Sequence, residues 1–149
     1  MNHHINLHIE GTESDTQPVE VEYLSENIYR VVHSPGFVEG IAAGDVIELA
    51  EHDTTKFSVV SYGGNVSVKI SDTASIIEKL PTLDNILGTV GARRDGNLER
   101  VGVWTMPLKS GFEPIEIAIK MACSELCEPT WWFGNAYDSN NQPLNWWLD

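Results

Sequence analysis

The hydrophobic pattern of this chain changes period partway along, and that change constrains the fold more than any other feature. In the first half, apolar and acidic residues alternate, as in the segment VEVEY at positions 19–23, which is the two-residue period of a half-buried strand. In the segment LDNILGTV at positions 83–90, apolar residues recur every three or four positions, which is the period of an amphipathic helix. The sequence therefore predicts strands first and helices later.

Five short strands are predicted in the first half. The strand at 19–25 turns into a return strand, NIYRVVH, and the segment DVIELAE forms a third. The segment KFSVVSYGGNVSVKIS supplies two more, which we expect to form a hairpin with its turn at Gly63-Gly64-Asn65. Strands of this length favour a small twisted sheet or a partial barrel.

The second half predicts a helix–strand–helix–strand lobe packed on that sheet. The expected elements are, in order, helices at 71–80 and 83–90, a strand at 98–107, a strong helix at 110–127 and a strand at 131–138. Arg93 and Arg94 are expected at a helix end, where cations complement the helix dipole. This order of elements is typical of an α+β fold.

Length and composition fit one globular domain. A chain of 149 residues with 42% apolar residues is long enough to bury a substantial core. We expect a single domain with two lobes, one β-rich over about 1–72 and one α+β over about 73–149. The sequence contains neither an apolar run of membrane-spanning length nor a signal-peptide pattern, so the expected location is the cytoplasm.

Most of the net charge of −13 lies in the first third of the chain. Residues 1–53 contain eleven acids and one base, which gives −10, whereas residues 54–149 contain eleven acids and eight bases, which gives −3. Each phosphate contact needs a cation, so nucleic acids and anionic membranes are excluded as expected ligands. The sequence favours a protein partner, and the alternative is that the acids only keep the surface soluble.

The sequence contains no recognisable catalytic or metal-binding motif. His33 and the serine that follows it are strand neighbours, which point to opposite faces and therefore make a poor base–nucleophile pair. Cys123 and Cys127 are expected to be reduced thiols, because two cysteines do not complete a zinc site. The histidines of the MNHHINLH segment fit a mobile polar terminus. We therefore expect no catalytic residue, no metal and no cofactor.

The end of the chain is rich in tryptophan. Trp146 and Trp147 are adjacent, and a terminus with two such residues must bury at least one or remain prone to association. We expect this tail to dock into the core. The alternative is that the tail belongs to a binding surface.

Part of the chain resembles a known family. The pattern IYRVVHSPGFVEGIAAGDVIEL, followed by YGGNVSVKI, is similar to an uncharacterised family of small bacterial proteins with an N-terminal β-lobe. The residues that carry the likeness are Tyr29, Pro35, Gly40, Gly44, Asp45 and Val46. The motif is structural and implies no catalytic residue. Acidic proteins of this size also resemble immunity proteins of bacterial toxin systems, including contact-dependent growth inhibition.

This resemblance and the charge together predict an acidic cytoplasmic immunity or inhibitor protein and not an enzyme. The expected partner is a cognate basic toxin domain of nuclease type, whose substrate phosphates the carboxylates would replace. Acids attract such a partner over long range, and aromatic side chains can anchor it. The residues predicted to contact the partner are Glu20, Glu22, Tyr23, Glu26, Phe37, Glu48, Glu51 and Asp53.

Two other functions remain open from the sequence. One is a small-molecule-binding or regulatory module with an aromatic pocket between the lobes, lined by the tryptophans Trp104, Trp131 and Trp132. The other is a hydrolase that uses two carboxylates facing a shared cleft. The candidate carboxylates for that reaction are Asp45, Glu48 and Glu51.

Overall fold

The alternating first half of the chain forms an antiparallel five-stranded sheet in the computed structural model, which describes residues 2–109 and 111–148. Its strands lie side by side in chain order. They are β1 (Asn2–His8), β2 (Thr16–Ser25), β3 (Ile28–Val31), β4 (Val46–Leu49) and β5 (Phe57–Ser61). The apolar members of the alternation are buried on one face, together with Val38 and Ile41 from the loop after β3.

The first sheet curls so far that its two outer strands approach each other. The backbone N–H of His8, at the end of β1, donates to the carbonyl of Thr55, just before β5, at 2.8 Å. The predicted small sheet or partial barrel is therefore confirmed. Strand β1 itself was not predicted, because its histidines are typical of a mobile polar terminus. The sequence pattern that indicates this strand is the alternation of Ile5 and Leu7. Leu7 is completely buried in the core.

The expected hairpin around Gly63-Gly64-Asn65 is wrong. Its first arm is β5 of the first sheet, whereas its second arm is β6 (Asn65–Ser71), which pairs with strands of a second sheet. The glycine turn is therefore a crossing between sheets. The chain changes sheet here, before the lobe boundary near residue 72 that the sequence suggested.

The second sheet carries both helices on one face. Its strands lie in the order β7-β8-β6-β9, all antiparallel. The elements that follow β6 are a 3-10 turn (Ile77–Lys79), α1 (Leu80–Gly88), β7 (Arg93–Asn97), β8 (Val101–Pro107), α2 (Phe112–Cys123), β9 (Thr130–Phe133) and a 3-10 turn (Trp146–Leu148). The α+β class is confirmed.

Two details of this lobe differ from the sequence analysis. The helix predicted at 71–80 is only a short 3-10 turn at Ile77–Lys79, which leads directly into α1 at Leu80. Arg93 and Arg94 lie in strand β7 and not at a helix end. This strand is polar and interrupted by a bulge between Arg94 and Gly96, so it has no hydrophobic alternation from which to predict it.

The core of the second lobe lies between this sheet and the two helices. Trp104 on β8 is completely buried there, and its indole N–H donates to Asp84 of α1 at 2.9 Å. Burial of each large apolar side chain stabilises the fold by roughly 1.5–3 kcal/mol. The other fully buried members of this cluster include Val66, Val68, Ile70, Leu83, Leu87, Met106, Ile115 and Ile119. Among the described residues, no helix is both long and apolar enough to cross a membrane.

The tryptophan tail packs against the body of the protein. Trp146 stacks on Tyr62 with ring centroids 5.2 Å apart, and its indole N–H donates to the carbonyl of Asn135 at 2.9 Å. Trp147 meets Phe112 edge to face at 5.0 Å. The tail therefore connects the crossing between the sheets with the first turn of α2.

The glycine crossing should tolerate a side chain at one position and not at its neighbour. A Cβ at Gly63 would lie 2.5 Å from the backbone carbonyl carbon of Gly44, whereas a Cβ at Gly64 would meet nothing within 4 Å. Gly64 has a φ of 83°, so Gly64→Ala should cost about 1–2 kcal/mol of unfolding free energy. Gly63→Ala should cost at least about 2 kcal/mol more, because backbone must move. Urea unfolding measures both, and equal losses would contradict the close packing.

Removal of the chain after Pro143 should lower the melting temperature. The loss of the buried part of Trp146 costs on the order of 3 kcal/mol, and each 1 kcal/mol shifts the melting temperature by roughly 2–4 °C for a chain of this size. Trp146→Ala should reproduce much of this loss. Leu148→Ala is the matched control, because Leu148 is 73% exposed. A truncated protein with an unchanged melting temperature would show that the tail contributes nothing to stability.

Candidate functional site

Six of the eight residues predicted to contact a partner gather at one end of the first sheet. The β2–β3 turn and the loop between β4 and β5 lie at the same end, since the N–H of Leu49 donates to the carbonyl of Asn27 at 2.9 Å. We call this surface the acidic end. It consists of Glu22, Tyr23, Leu24, Glu26, Glu48, Glu51 and Asp53.

The acids of the acidic end differ in how freely they can bind. Glu26, Glu48 and Glu51 are exposed and accept no hydrogen bond from the described residues. Glu22 instead forms an ion pair with Arg30 on the neighbouring strand β3, with 2.6 Å between Oε1 and Nη1. Asp53 accepts bonds from the backbone and hydroxyl of Thr55, which lower the pKa of its carboxyl. Three carboxylates are therefore free for a partner, and two have structural roles.

Two apolar side chains are exposed at the same end of the sheet as these acids. Tyr23 is 52% exposed and Leu24 is 39% exposed at the end of β2. The ring of Tyr23 is held edge to face against Tyr29, with ring centroids 5.8 Å apart. A fixed aromatic side chain can anchor a partner at a low cost in conformational entropy.

The other two predicted residues, Glu20 and Phe37, line a cleft of about 310 Å³. This cleft lies between β2, the loop that follows β3, and the β7–β8 hairpin. Glu20 shares the outer face of β2 with Glu22, as strand alternation requires. Phe37 is 48% exposed at the rim, where its backbone N–H donates to Oε1 of Gln17 at 2.8 Å.

His33 lies in this cleft between two carboxylates. Its Nε2 is 3.4 Å from Glu20, and its Nδ1 is 3.5 Å from Asp95. The side chain of Asp95 is completely buried and also accepts hydrogen bonds from Ser34 N–H, the Thr105 hydroxyl and Arg93. His33 and Asp95 were not predicted as site residues. They are 62 positions apart (95 − 33), and no local motif connects them.

The serine beside His33 has a structural role. The hydroxyl of Ser34 accepts the backbone N–H of Ala43 at 2.9 Å and shares a hydrogen bond with Thr105. It is buried, and both residues lie in the loop after β3 and not in a strand as the sequence predicted. The pair therefore holds the loop and does not form a base–nucleophile arrangement.

One of the three carboxylates proposed for a hydrolase is buried apart from the other two. Asp45 is completely buried, whereas Glu48 and Glu51 are exposed at the acidic end. The two oxygens of Asp45 accept the backbone N–H groups of Ala42 and Gly63 at 2.9 and 2.8 Å. Burial nevertheless raises the pKa of Asp45 to about 6, because the two hydrogen bonds only partly offset the loss of hydration.

A second, larger groove of about 1170 Å³ separates β5 from β9. Two of the three tryptophans predicted to line an aromatic pocket, Trp131 and Trp132, line this groove. The third, Trp104, is buried beneath the helices. At its edge Glu39 accepts a hydrogen bond from Lys69, whose ammonium lies 2.9 Å away and is completely buried. Burial lowers the pKa of Lys69, and Glu39 acts in the opposite direction.

The described residues contain no cluster of three metal-ligating side chains. His3, His4 and His8 are spread along β1 and so cannot meet at one point. Cys123 and Cys127 are both free thiols. Burial raises the pKa of the Cys123 thiol, which disfavours its reactive thiolate.

Comparison with known proteins identifies relatives in sequence and in fold. Residues 18–126 match the family described as "Domain of unknown function (DUF4265)". The fold is similar to a solved structure described as "Novel crystal structure of a hypothetical protein from Neisseria gonorrhoeae". The TM-score is 0.64 and the sequence identity is 10%, over 89% of this chain and 92% of that chain. At this identity the similarity concerns the fold alone. No curated protein matches the chain.

The buried Asp45 should make stability depend on pH in a defined window. Its pKa rises from 3.8 to about 6 on folding, so the folded protein binds the additional proton between these values. Stability should therefore fall as the pH rises from about 4 to about 6, by about 3 kcal/mol at most, and this contribution is constant above that. Urea unfolding of the wild type and of Asp45→Asn at several pH values measures the difference. The same pH slope in both proteins would contradict the assignment.

Proposed function

This chain belongs to the DUF4265 family, a domain of unknown function, since the match covers more than half of it, and we propose that it is an acidic immunity protein. It binds and neutralises a cognate basic toxin domain of nuclease type in the cytoplasm of a bacterium. It acts by occupying the toxin's surface and needs no catalytic residue of its own.

The observation that carries this proposal is the composition of the acidic end. Tyr23 and Leu24 are exposed there, with the free carboxylates of Glu26, Glu48 and Glu51 nearby. Exposed apolar side chains near an excess of free acids suit a partner of the opposite charge. A nuclease domain presents such a surface, because it must hold polyanionic phosphates.

Electrostatics also supports rapid capture. The first 53 residues carry a net charge of −10, and their acids lie on one sheet and its turns. Such a charge distribution raises the association rate with a cationic partner by long-range attraction. Fast capture suits an inhibitor whose free target would damage the cell that produces it.

The larger groove favours one second candidate, a small-molecule-binding or regulatory module. Trp132 and Tyr137 are partly exposed where they line the groove, and aromatic faces of this kind stack on sugars or other planar ligands. Position in the genome separates the two candidates, because an immunity gene should lie directly downstream of a large toxin gene. Capture of the basic domain encoded by that gene would support the first candidate.

Reversal of the three free acids should slow association with that basic domain. The variant Glu26→Lys, Glu48→Lys, Glu51→Lys changes the net charge by six units on exposed side chains, so folding should be retained. The association rate should fall at least about tenfold at low ionic strength, and its dependence on salt should flatten. Stopped-flow mixing at several salt concentrations measures both quantities.

A matched control variant separates the effect of where the charges lie from the effect of the total charge. The variant Glu99→Lys, Glu125→Lys, Glu128→Lys makes the same change of charge on exposed residues of the second lobe. Its association rate should fall much less, because those residues lie away from the acidic end. Equal effects of both triple variants would show that the acidic end does not orient the partner.

A further inference from the structure

We propose that the cleft lined by Glu20, His33 and Phe37 is a binding site for an organic cation with an apolar stem, such as an alkylguanidinium or alkylammonium group. Where the cation is a side chain of the cationic partner, this inference rests on the proposed function. The volume of the cleft, about 310 Å³, is in the range of small-ligand sites.

The charges in the cleft leave one carboxylate without a permanent cation. Two acidic side chains line the cleft, and one of them, Asp95, already pairs with Arg93 at 2.8 Å. Glu20 has no lysine or arginine within salt-bridge distance among the described residues. Its closest basic groups are the imidazoles of His4 at 3.9 Å and His33 at 3.4 Å.

The lysine that lines the cleft does not fill this role. The ammonium of Lys69 is bound to Glu39 at 2.9 Å and is completely buried. A cation in the cleft would therefore be the first permanent positive charge beside Glu20. A charged hydrogen bond to a carboxylate of this kind is stronger than a neutral one.

The walls of the cleft suit the apolar part of such a ligand. Phe37 and Leu98 are exposed at its rim, by 48% and 57% respectively. An aromatic face attracts a cation through its π electrons, and the aliphatic stem of the ligand covers apolar surface. Val101 and Val103 of β8 also line the cleft.

The backbone around the cleft is held in place before any ligand arrives. Gln17 fixes the amide of Phe37, and Asp95 fixes the amide of Ser34 at 2.7 Å. His33 lies between Glu20 and Asp95 and so limits the positions of both. A ligand therefore pays little to order this site.

Titration of the purified protein with butylguanidinium tests the site without a partner. We expect saturable binding, with chemical-shift changes confined to residues of the cleft, and at least about tenfold weaker binding of the neutral isostere butylurea. Glu20→Gln should weaken butylguanidinium binding at least about tenfold, and Phe37→Ala about two- to fivefold. Glu22→Gln is the matched control, because its carboxylate pairs with Arg30 outside the cleft. It should change the affinity less than about twofold.

The outcomes separate this inference from the proposed function. Equal binding of butylguanidinium and butylurea, or no effect of Glu20→Gln, overturns the cation site while the acidic end can still capture its partner. Conversely, a cleft that binds the cation supports the inference even if the triple variant of the acidic end associates normally. An acetylated Gly-Arg-Gly amide identifies the source: comparable binding supports a polypeptide side chain, and binding of only the free cation supports a small molecule.

Discussion

The carboxylate of Asp45 holds together the point at which the two sheets meet, and much of the structure depends on it. One oxygen closes the turn before β4 through the amide of Ala42, and the other accepts the amide of Gly63 in the crossing to the second sheet. Gly63 packs directly against the backbone of Gly44 and has no room for a side chain there, while Gly44 has a φ of 94° that favours glycine. This arrangement gives a physical reason for the Gly44-Asp45-Val46 segment. The glycine lets the two backbone segments approach closely, and the aspartate accepts hydrogen bonds from both of them.

The loop between β3 and β4 joins the contact between the two sheets to the cleft through hydrogen bonds. Ser34 and its neighbours are tied to the second sheet through Thr105 and Asp95, while Gly40 donates to the carbonyl of Gly134 at 2.7 Å. The face of the second sheet that points away from the helices carries the polar residues Ser67, Lys69 and Thr105, and Lys69 is paired to Glu39. Buried polar groups need partners in fixed positions, so this layer determines where the loop, His33 and Phe37 lie.

Strand β2 connects the two candidate binding surfaces. Its outward face carries Glu22 toward the acidic end and Glu20 into the cleft, since alternate residues of a strand share a face. A partner with one cationic side chain in the cleft and a basic surface on the acidic end would use both at once. Two modest contacts on one rigid strand can then act together, because the second forms at high effective concentration.

The sequence by itself determined the class of the fold, most strand positions and the location of the negative charge, because alternation and helical periodicity are local properties. It did not determine which strands share a sheet: the Gly63-Gly64 turn has the composition of a hairpin, yet the close packing of Gly63 on Gly44 directs the chain into a second sheet. It also placed eight contact residues on one surface, whereas the tertiary structure divides them between the acidic end and the cleft. The pairing of His33 with Asp95, like the burial of Lys69 and Asp45, was decided only by tertiary structure, since these groups come together across long stretches of chain and no local pattern records such distances.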